Sequence, residues 1–277
     1  MLFRKTLTLA ASVAALALTF AGCSGSTPAA PAGSGASSAA SSRPAADLKL
    51  VSAGTLTVCS DVPYAPFEVE DSSSPSGYGG FDIEVMDAVS KKLGLTLKVI
   101  DSDFDALQSG TVLVANQCDI AASAMTITEE RKKNLDFSEP YYDSLQSLLV
   151  KADSGITNLA GTGGKKIGVQ KGTTGKTYAT ENAPKDAQVI DFPSDGELWP
   201  AIQAGQIDAI LQDQPVNHTH EVADAAYKIV ETYKTNEQYG FAFAKGLKPE
   251  LEKAVNDALA AMKADGSYDT IYKKYFG

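Results

Sequence analysis

Histidine and tryptophan are nearly absent, with two His and one Trp in 277 residues. His218 and His220 stand two positions apart on an expected helix, so their rings face different directions, and no Cys pair lies nearby to complete a metal site. Three cysteines are far too few for a disulfide scaffold. No stretch reaches the roughly 20 apolar residues of a membrane-spanning helix. Lys and Arg number 24 against 34 Asp and Glu, for a formal net charge of −10. That balance argues against nucleic acid or an anionic membrane surface as main partner, because phosphate binding draws on clustered basic residues. No Ser/His/Asp or Cys/His arrangement for nucleophilic catalysis is evident. What is present is ordinary globular material, 44% hydrophobic and 21% charged, at a length suiting one large domain or two of ordinary size.

The N-terminus reads as an address. Arg4 and Lys5 precede an uncharged segment, 6–22, rich in Leu and Ala, which closes on Phe20-Ala21-Gly22-Cys23. These are the parts of an export signal. A cysteine directly after the small pair resembles the lipobox of bacterial lipoproteins. That likeness implies a signal peptide over 1–22, lipidation of Cys23 and anchorage to the outer face of the cell membrane or, with an outer membrane, a periplasmic site. An ordinary signal cleaved nearby, or an uncleaved anchor helix, is the other reading. Residues 23–47 then carry the lipidated Cys and a Ser/Ala/Gly/Pro stretch with almost no charge and no aromatic. Such a composition cannot offset its ordering entropy and is expected to be a flexible tether.

From Leu48 onward, strand signals alternate with amphipathic helices. Strands are expected at 56–59, 95–100, 120–124, 145–150, 166–170, 188–192, 207–211 and 238–244. Helices are expected at 81–93, 104–115 with a break at Gly110, 172–182, 197–204, from 216 onward, 249–264 and 268–275, with a short one opened by residues 128–131. This alternation predicts α/β sheets of parallel type, and its restart near 166 suggests two lobes and a cleft. Ligands in such folds bind at the carboxyl ends of strands, where loops meet helix N-termini.

Four stretches in order carry a specific resemblance: 57–68 (TVCSDVPYAPFE), 80–83 (GFDI), 124–131 (AMTITEER) and 168–175 (GVQKGTTG). With Asp208-Ala209, Gln212-Asp213 and the closing segment 264–276, they are similar to the extracellular solute-binding proteins of polar amino-acid ABC transporters, family 3 type. The likeness runs from about Leu56 to the C-terminus. It implies a two-lobe α/β fold of the type II periplasmic-binding-protein kind, with hinge crossings near 146–151 and 233–240. Lobe one would comprise 48–146 and 241–277, and residues 147–240 the hinge strands and lobe two. It also implies a monomer without cofactor, which takes up a free amino acid and delivers it to a membrane permease, touching the membrane only through its lipid.

The chemistry of the matched residues agrees with that implication. A free amino acid carries a carboxylate and an ammonium, and burying either unpaired would be prohibitive. Arg131 can clamp the carboxylate with a bidentate fork. Thr174 and its backbone N–H follow a glycine turn that opens a helix, a geometry suited to anions. Asp213 can accept the ammonium, helped by the Thr126 hydroxyl and the Ala124 carbonyl. Tyr64 and Phe67 would line the side-chain cavity, and Phe104 would form a second aromatic wall; Met125 and Thr173, within the same motifs, complete the set. Asp61 bears on specificity. An acidic group at the ligand's distal end pairs with Arg, Lys or His or accepts from a Gln amide, and disfavours Glu and Asp; otherwise its carboxylate bonds to its own loop.

Three other readings stand beside this one. Residues 172–177 (GTTGKT) resemble a phosphate loop, but the spacing requires glycine at 170, where the chain has Gln170. Cyclohexadienyl dehydratases resemble the same fold, with Glu68 or Asp61 as the acid such an enzyme needs. A sensor feeding a membrane receptor would suit the tether equally. Cys59 and Cys118 each sit at a strand of lobe one, either bridged or held apart by strand registry.

Overall fold

The computed structural model describes residues 48–277; the expected signal peptide, Cys23 and the tether lie outside the described residues. The described chain builds β1 (Thr55–Ser60), buried from Leu56 onward, followed by a small hairpin of β2 (Val69–Glu70) and β3 (Tyr78–Gly79). Helix α1 (Phe81–Lys92) buries Phe81, Val85, Met86 and Val89, the face that helical periodicity selects, with Asp82 and Glu84 in its first turn and Lys91 and Lys92 in its last. Strand β4 (Thr96–Asp101) follows, then α2 (Phe104–Gln108) and α3 (Thr111–Val114), separated at Gly110, whose φ of 79° ends the first helix. Strands β5 (Ile120–Ala121) and β6 (Leu135–Phe137) complete this part.

The chain then enters a second sheet through β7 (Tyr142–Lys151). It builds β8 (Lys166–Gln170), α4 (Thr174–Asn182), β9 (Gln188–Phe192), α5 (Asp195–Gln203), β10 (Ala209–Asp213) and α6 (Gln214–Ala223), and returns along β11 (Tyr227–Tyr239). Strand β12 (Ala242–Ala244) rejoins the first sheet, and α7 (Pro249–Asp265) and α8 (Ser267–Phe276) close the first core.

Two five-stranded sheets result, in the orders β4-β1-β5-β12-β6 and β11-β7-β10-β8-β9. Both are mixed, which corrects the expectation of parallel sheets. The pairs β1–β4, β1–β5, β8–β10 and β8–β9 are parallel, whereas β12 and β7 run antiparallel to both their neighbours. Strands β7 and β11 stay paired from Lys151–Tyr227 to Tyr142–Tyr239, the register shifting at two bulges in β11. These two long strands are the chain's passages between the lobes.

Cys59 and Cys118 form a disulfide, with Cα atoms 5.8 Å apart, inside an apolar cluster with Leu107, Leu113 and Met125. The pairing of β1 with β5 brings the two cysteines together, and this settles the alternative that spacing left open.

Candidate functional site

A cleft between the lobes is lined by Asp61, Tyr64, Phe104, Ser123, Ala124, Thr126 and Arg131 from the first and by Gln170, Thr173, Thr174 and Asp213 from the second. The cavity they enclose measures about 10 Å³, room for a single water. The lobes meet there through side chains that satisfy one another, so a larger solute enters only when those contacts part.

Asp213 ends β10, where a φ of −55° and ψ of 134° turn the chain into α6 with Pro215 in its first turn. Its Oδ2 accepts from the Tyr64 hydroxyl across the cleft at 3.0 Å and from the Tyr239 hydroxyl, and its Oδ1 accepts from the Gln146 amide. Burial, and after it the charge of Glu237, pushes the Asp213 carboxyl up to about 7. Glu237 comes from β11. Its Oε2 accepts from the Thr126 and Thr174 hydroxyls, each at 2.7 Å, and both its oxygens lie 3.2 Å from the Gln146 amide nitrogen.

Arg131 sits in the short 3₁₀ turn Arg131–Lys133, its backbone N–H donating to Thr128 Oγ1. The residue is 6% exposed, and its guanidinium lies 5.2 Å over the Phe104 ring. One nitrogen donates to the Thr126 carbonyl at 2.6 Å and another to the Gly172 carbonyl of the second lobe at 3.0 Å. Burial lowers its pKa to about 10, opposed by the carboxylates of Asp213 and Glu237.

Thr173 caps α4, accepting from the Lys176 N–H at 3.1 Å and donating to the Gln170 carbonyl at 2.7 Å, so Thr174 stands at the first position of a helix N-terminus. Asp61 follows β1. Its carboxylate accepts from the Gln170 amide of the second lobe at 2.5 Å rather than from its own loop. Burial pushes that carboxyl up to about 7, with the Gln170 bond opposing and Asp101 and Asp103 adding to the rise.

Behind this lining lies a second layer of buried carboxyls. Strand β5 stops at Ala121, short of the expected 120–124, because Ala124 takes a left-handed φ of 43° that turns Ser123 and Ala124 into the cleft. Asp82 holds the Ala124 N–H at 2.8 Å and the Tyr141 hydroxyl at 2.6 Å, while Glu68 accepts from the Ser123 hydroxyl at 2.7 Å. Burial raises both carboxyls, Asp82 to about 7 and Glu68 well above the ordinary range.

Nine of the eleven residues singled out from the sequence therefore line one cavity. The exceptions are Phe67 and Met125, and here the expectation is corrected. The tight turn from Tyr64 to Glu68 leaves Tyr64 on the cleft side and puts Phe67 behind it, fully buried against Tyr142 and Tyr239 at 5.2 and 5.4 Å. Met125, flanked by the cleft residues Ala124 and Thr126, points into the disulfide cluster. Gln146, Gln170, Ser123, Tyr239 and Glu237 were missed. Gln146 left one legible trace, a lone amide within the apolar run 145–150, which the sheet places directly opposite Asp213.

Away from the cleft, His220 Nε2 lies 3.0 Å from both carboxylate oxygens of Asp195 and its ring stacks on Trp199 at 4.1 Å, and His218 meets Glu221 on the surface. Among the described residues no group of three or more His, Cys, Asp or Glu could hold a metal ion.

A glutamine-binding protein of an ABC transporter, GlnH of Bacillus subtilis (strain 168), is 36% identical over 198 residues, 71% of this chain and 72% of that protein. An ancestral arginine-binding protein solved with arginine superposes with a TM-score of 0.74 at 37% identity, covering 81% of this chain and 99% of that one. An ancestral amino acid-binding protein, AncCDT-1, a precursor of cyclohexadienyl dehydratase, superposes with a TM-score of 0.72 at 37% identity, covering 81% and 96%. The pattern of one family covers residues 56–277, nearly all of the folded body, and the chain belongs to that family, the bacterial extracellular solute-binding proteins, family 3.

Proposed function

We propose that this protein captures a free polar amino acid, basic or glutamine, outside the cell and delivers it to an ABC transporter permease. The carrying observation is a guanidinium and a carboxyl lining one cleft, Arg131 from the first lobe and Asp213 from the second, each less than a tenth exposed. Ionised groups are buried in that way when a partner compensates them, and the two ends of a zwitterion do so. Arg131 takes the carboxylate. The backbone N–H of Thr174 at the start of α4 adds a second donor. Asp213, the Thr126 hydroxyl and the Ala124 carbonyl take the ammonium, while Tyr64 and Phe104 flank the side chain and Asp61 meets its far end.

The lobes, 48–146 with 241–277 and 147–240, open about the crossing strands. Tyr64–Asp213, Asp61–Gln170 and Arg131–Gly172 join them in the closed form, and a ligand that adds contacts only there shifts the population towards closure. The protein acts as a monomer held at the outer face of the cell membrane by lipidated Cys23, and the permease reads the closed lobes.

A dehydratase reading has one observation in its favour, an Asp61 carboxyl that burial pushes to about 7, where a general acid works best. Against it, the Asp61 side chain is already engaged by Gln170. Thermal denaturation against the twenty amino acids, cystine and prephenate separates the two. A ligand bound only by the folded state raises the midpoint. Binding predicts an upward shift with Arg, Lys, His or Gln that Arg131→Ala abolishes. Silence from every amino acid, with prephenate consumed, makes the protein an enzyme.

A further inference from the structure

Glu237 lies outside the cavity lining, yet it touches residues from both walls. Two hydroxyls on opposite lobes, Thr126 and Thr174, both donate to its Oε2 at 2.7 Å. A hydroxyl has one hydrogen, so a threonine that gives it to a carboxylate keeps only lone pairs for anything else nearby. Gln146 takes part of that capacity on Thr174, its amide nitrogen lying 3.4 Å from Oγ1. The amide orientation follows from the same chemistry, since turning it over would set the Gln146 oxygen against the carboxylates of Asp213 and Glu237.

We infer that Glu237 is a positioning residue that makes the Thr126 and Thr174 hydroxyls acceptors, and so fixes which end of the ligand faces the hinge. A carboxylate offers only acceptors and finds nothing in those hydroxyls; an ammonium offers three donors and fits them. Thr174 is thereby divided. Its backbone N–H serves the carboxylate, and its hydroxyl joins Asp213 and Thr126 around the ammonium. Glu237 also keeps a second negative charge beside Asp213, which disfavours a carboxylate there. A ligand entering end-for-end would meet acceptors with its own acceptors and leave Arg131 facing a cation.

The inference rests on the amino-acid reading above, and the test separates the two. Titration calorimetry compares L-arginine and L-glutamine with the same molecules lacking the α-amino group, guanidinopentanoate and glutaramate, on the wild type and on Glu237→Gln. The variant removes the charge beside Asp213 and, with its amide nitrogen at the Oε2 position, turns the point on which both hydroxyls converge from acceptor to donor. Binding of the amino acid that the wild type takes is expected to weaken about 10-fold or more, and of its des-amino analogue less than about 3-fold. Thr174→Val removes one of the two oriented hydroxyls with residue 237 unchanged, is expected to give the same split, and serves should Glu237→Gln fail to fold. Equal weakening of ligand and analogue in both variants overturns the inference and leaves the amino-acid reading standing. A wild type that binds none of the twenty amino acids overturns that reading, and the inference with it.

Discussion

The Gln170 amide donates to the Asp61 carboxylate at 2.5 Å, joining the end of β8 on one lobe to the end of β1 on the other, at the wall of the cleft. The Gln170 amide nitrogen also donates to the Pro193 carbonyl at 3.0 Å, so the pair is held on both sides. A cationic or amide ligand side chain reaching this wall replaces one donor to Asp61 with another. Asp61→Asn removes the charge and keeps the shape. Affinity for arginine or lysine should fall at least about 10-fold, the worth of one charge-assisted bond, with glutamine affected less. Calorimetry near neutral pH measures both, and a protein that prefers glutamate or aspartate would refute this role for Asp61.

The buried carboxyls fix the sign of the pH dependence. Asp61, Asp82 and Asp213 titrate near 7 in the folded protein, raised chiefly by burial, and Glu68 is raised further. In the unfolded chain such groups titrate near about 4, so the folded state binds their protons more tightly. The stability they contribute is complete below about pH 4 and is lost as pH rises towards about 7. The ligand-free protein should therefore melt higher at about pH 5.5 than at about pH 8. Calorimetric scans across that interval decide it, and a midpoint that climbs with pH would contradict the assignment.

How much of this was legible from the sequence depended on how local each signal was. Strands such as KIGVQ and the periodic face of α1 lie in single segments and were read with nearly the right limits. Arg131, Asp213 and Thr174 sit in short ordered motifs, and the fold sets all three on the cavity wall. Glu237 was not legible. It belongs to β11, an edge strand studded with Lys and Glu and interrupted by bulges at Ile229/Glu231 and Tyr233/Glu237, so its period-two pattern is broken. Only strand register brings it to Thr126 and Thr174, over a hundred and over sixty residues away in the chain. Phe67 failed differently. The motif placed the turn correctly, but which of two neighbouring rings faces the cleft is decided by packing against Tyr142 and Phe276.

The disulfide should act on stability and leave recognition nearly alone. Cys59 and Cys118 are fully buried and 59 residues apart, a loop for which chain entropy alone gives about 4 kcal/mol. The bond lies in the apolar cluster behind β1 and contributes no atom to the cavity. Cys59→Ser with Cys118→Ser is expected to lower the thermal midpoint by roughly 10 °C while changing ligand affinity less than about 3-fold. Loss of binding in a variant that still melts cooperatively would show that the bridge holds the Asp61 end of β1 in place.

Gly175 offers a sharper test of the hinge network, because the space beside it is already occupied. A methyl there would stand 2.8 Å from Gln146 Oε1 and 3.1 Å from the Leu211 carbonyl. The carbonyl belongs to β10 and cannot give way. The Gln146 side chain must then move, and with it the amide that holds both Asp213 and Glu237. Gly175→Ala should cost about 1–3 kcal/mol through overpacking and weaken amino-acid binding as well, since two carboxylates lose a shared donor. Gly161→Ala is the control. Its nearest neighbours lie at 3.6 Å, and a change within about 0.5 kcal/mol is expected, with binding untouched. If Gly175→Ala melts and binds like the wild type, the Gln146 amide is free to move, and the three-way contact among Gln146, Asp213 and Glu237 does not order the cleft.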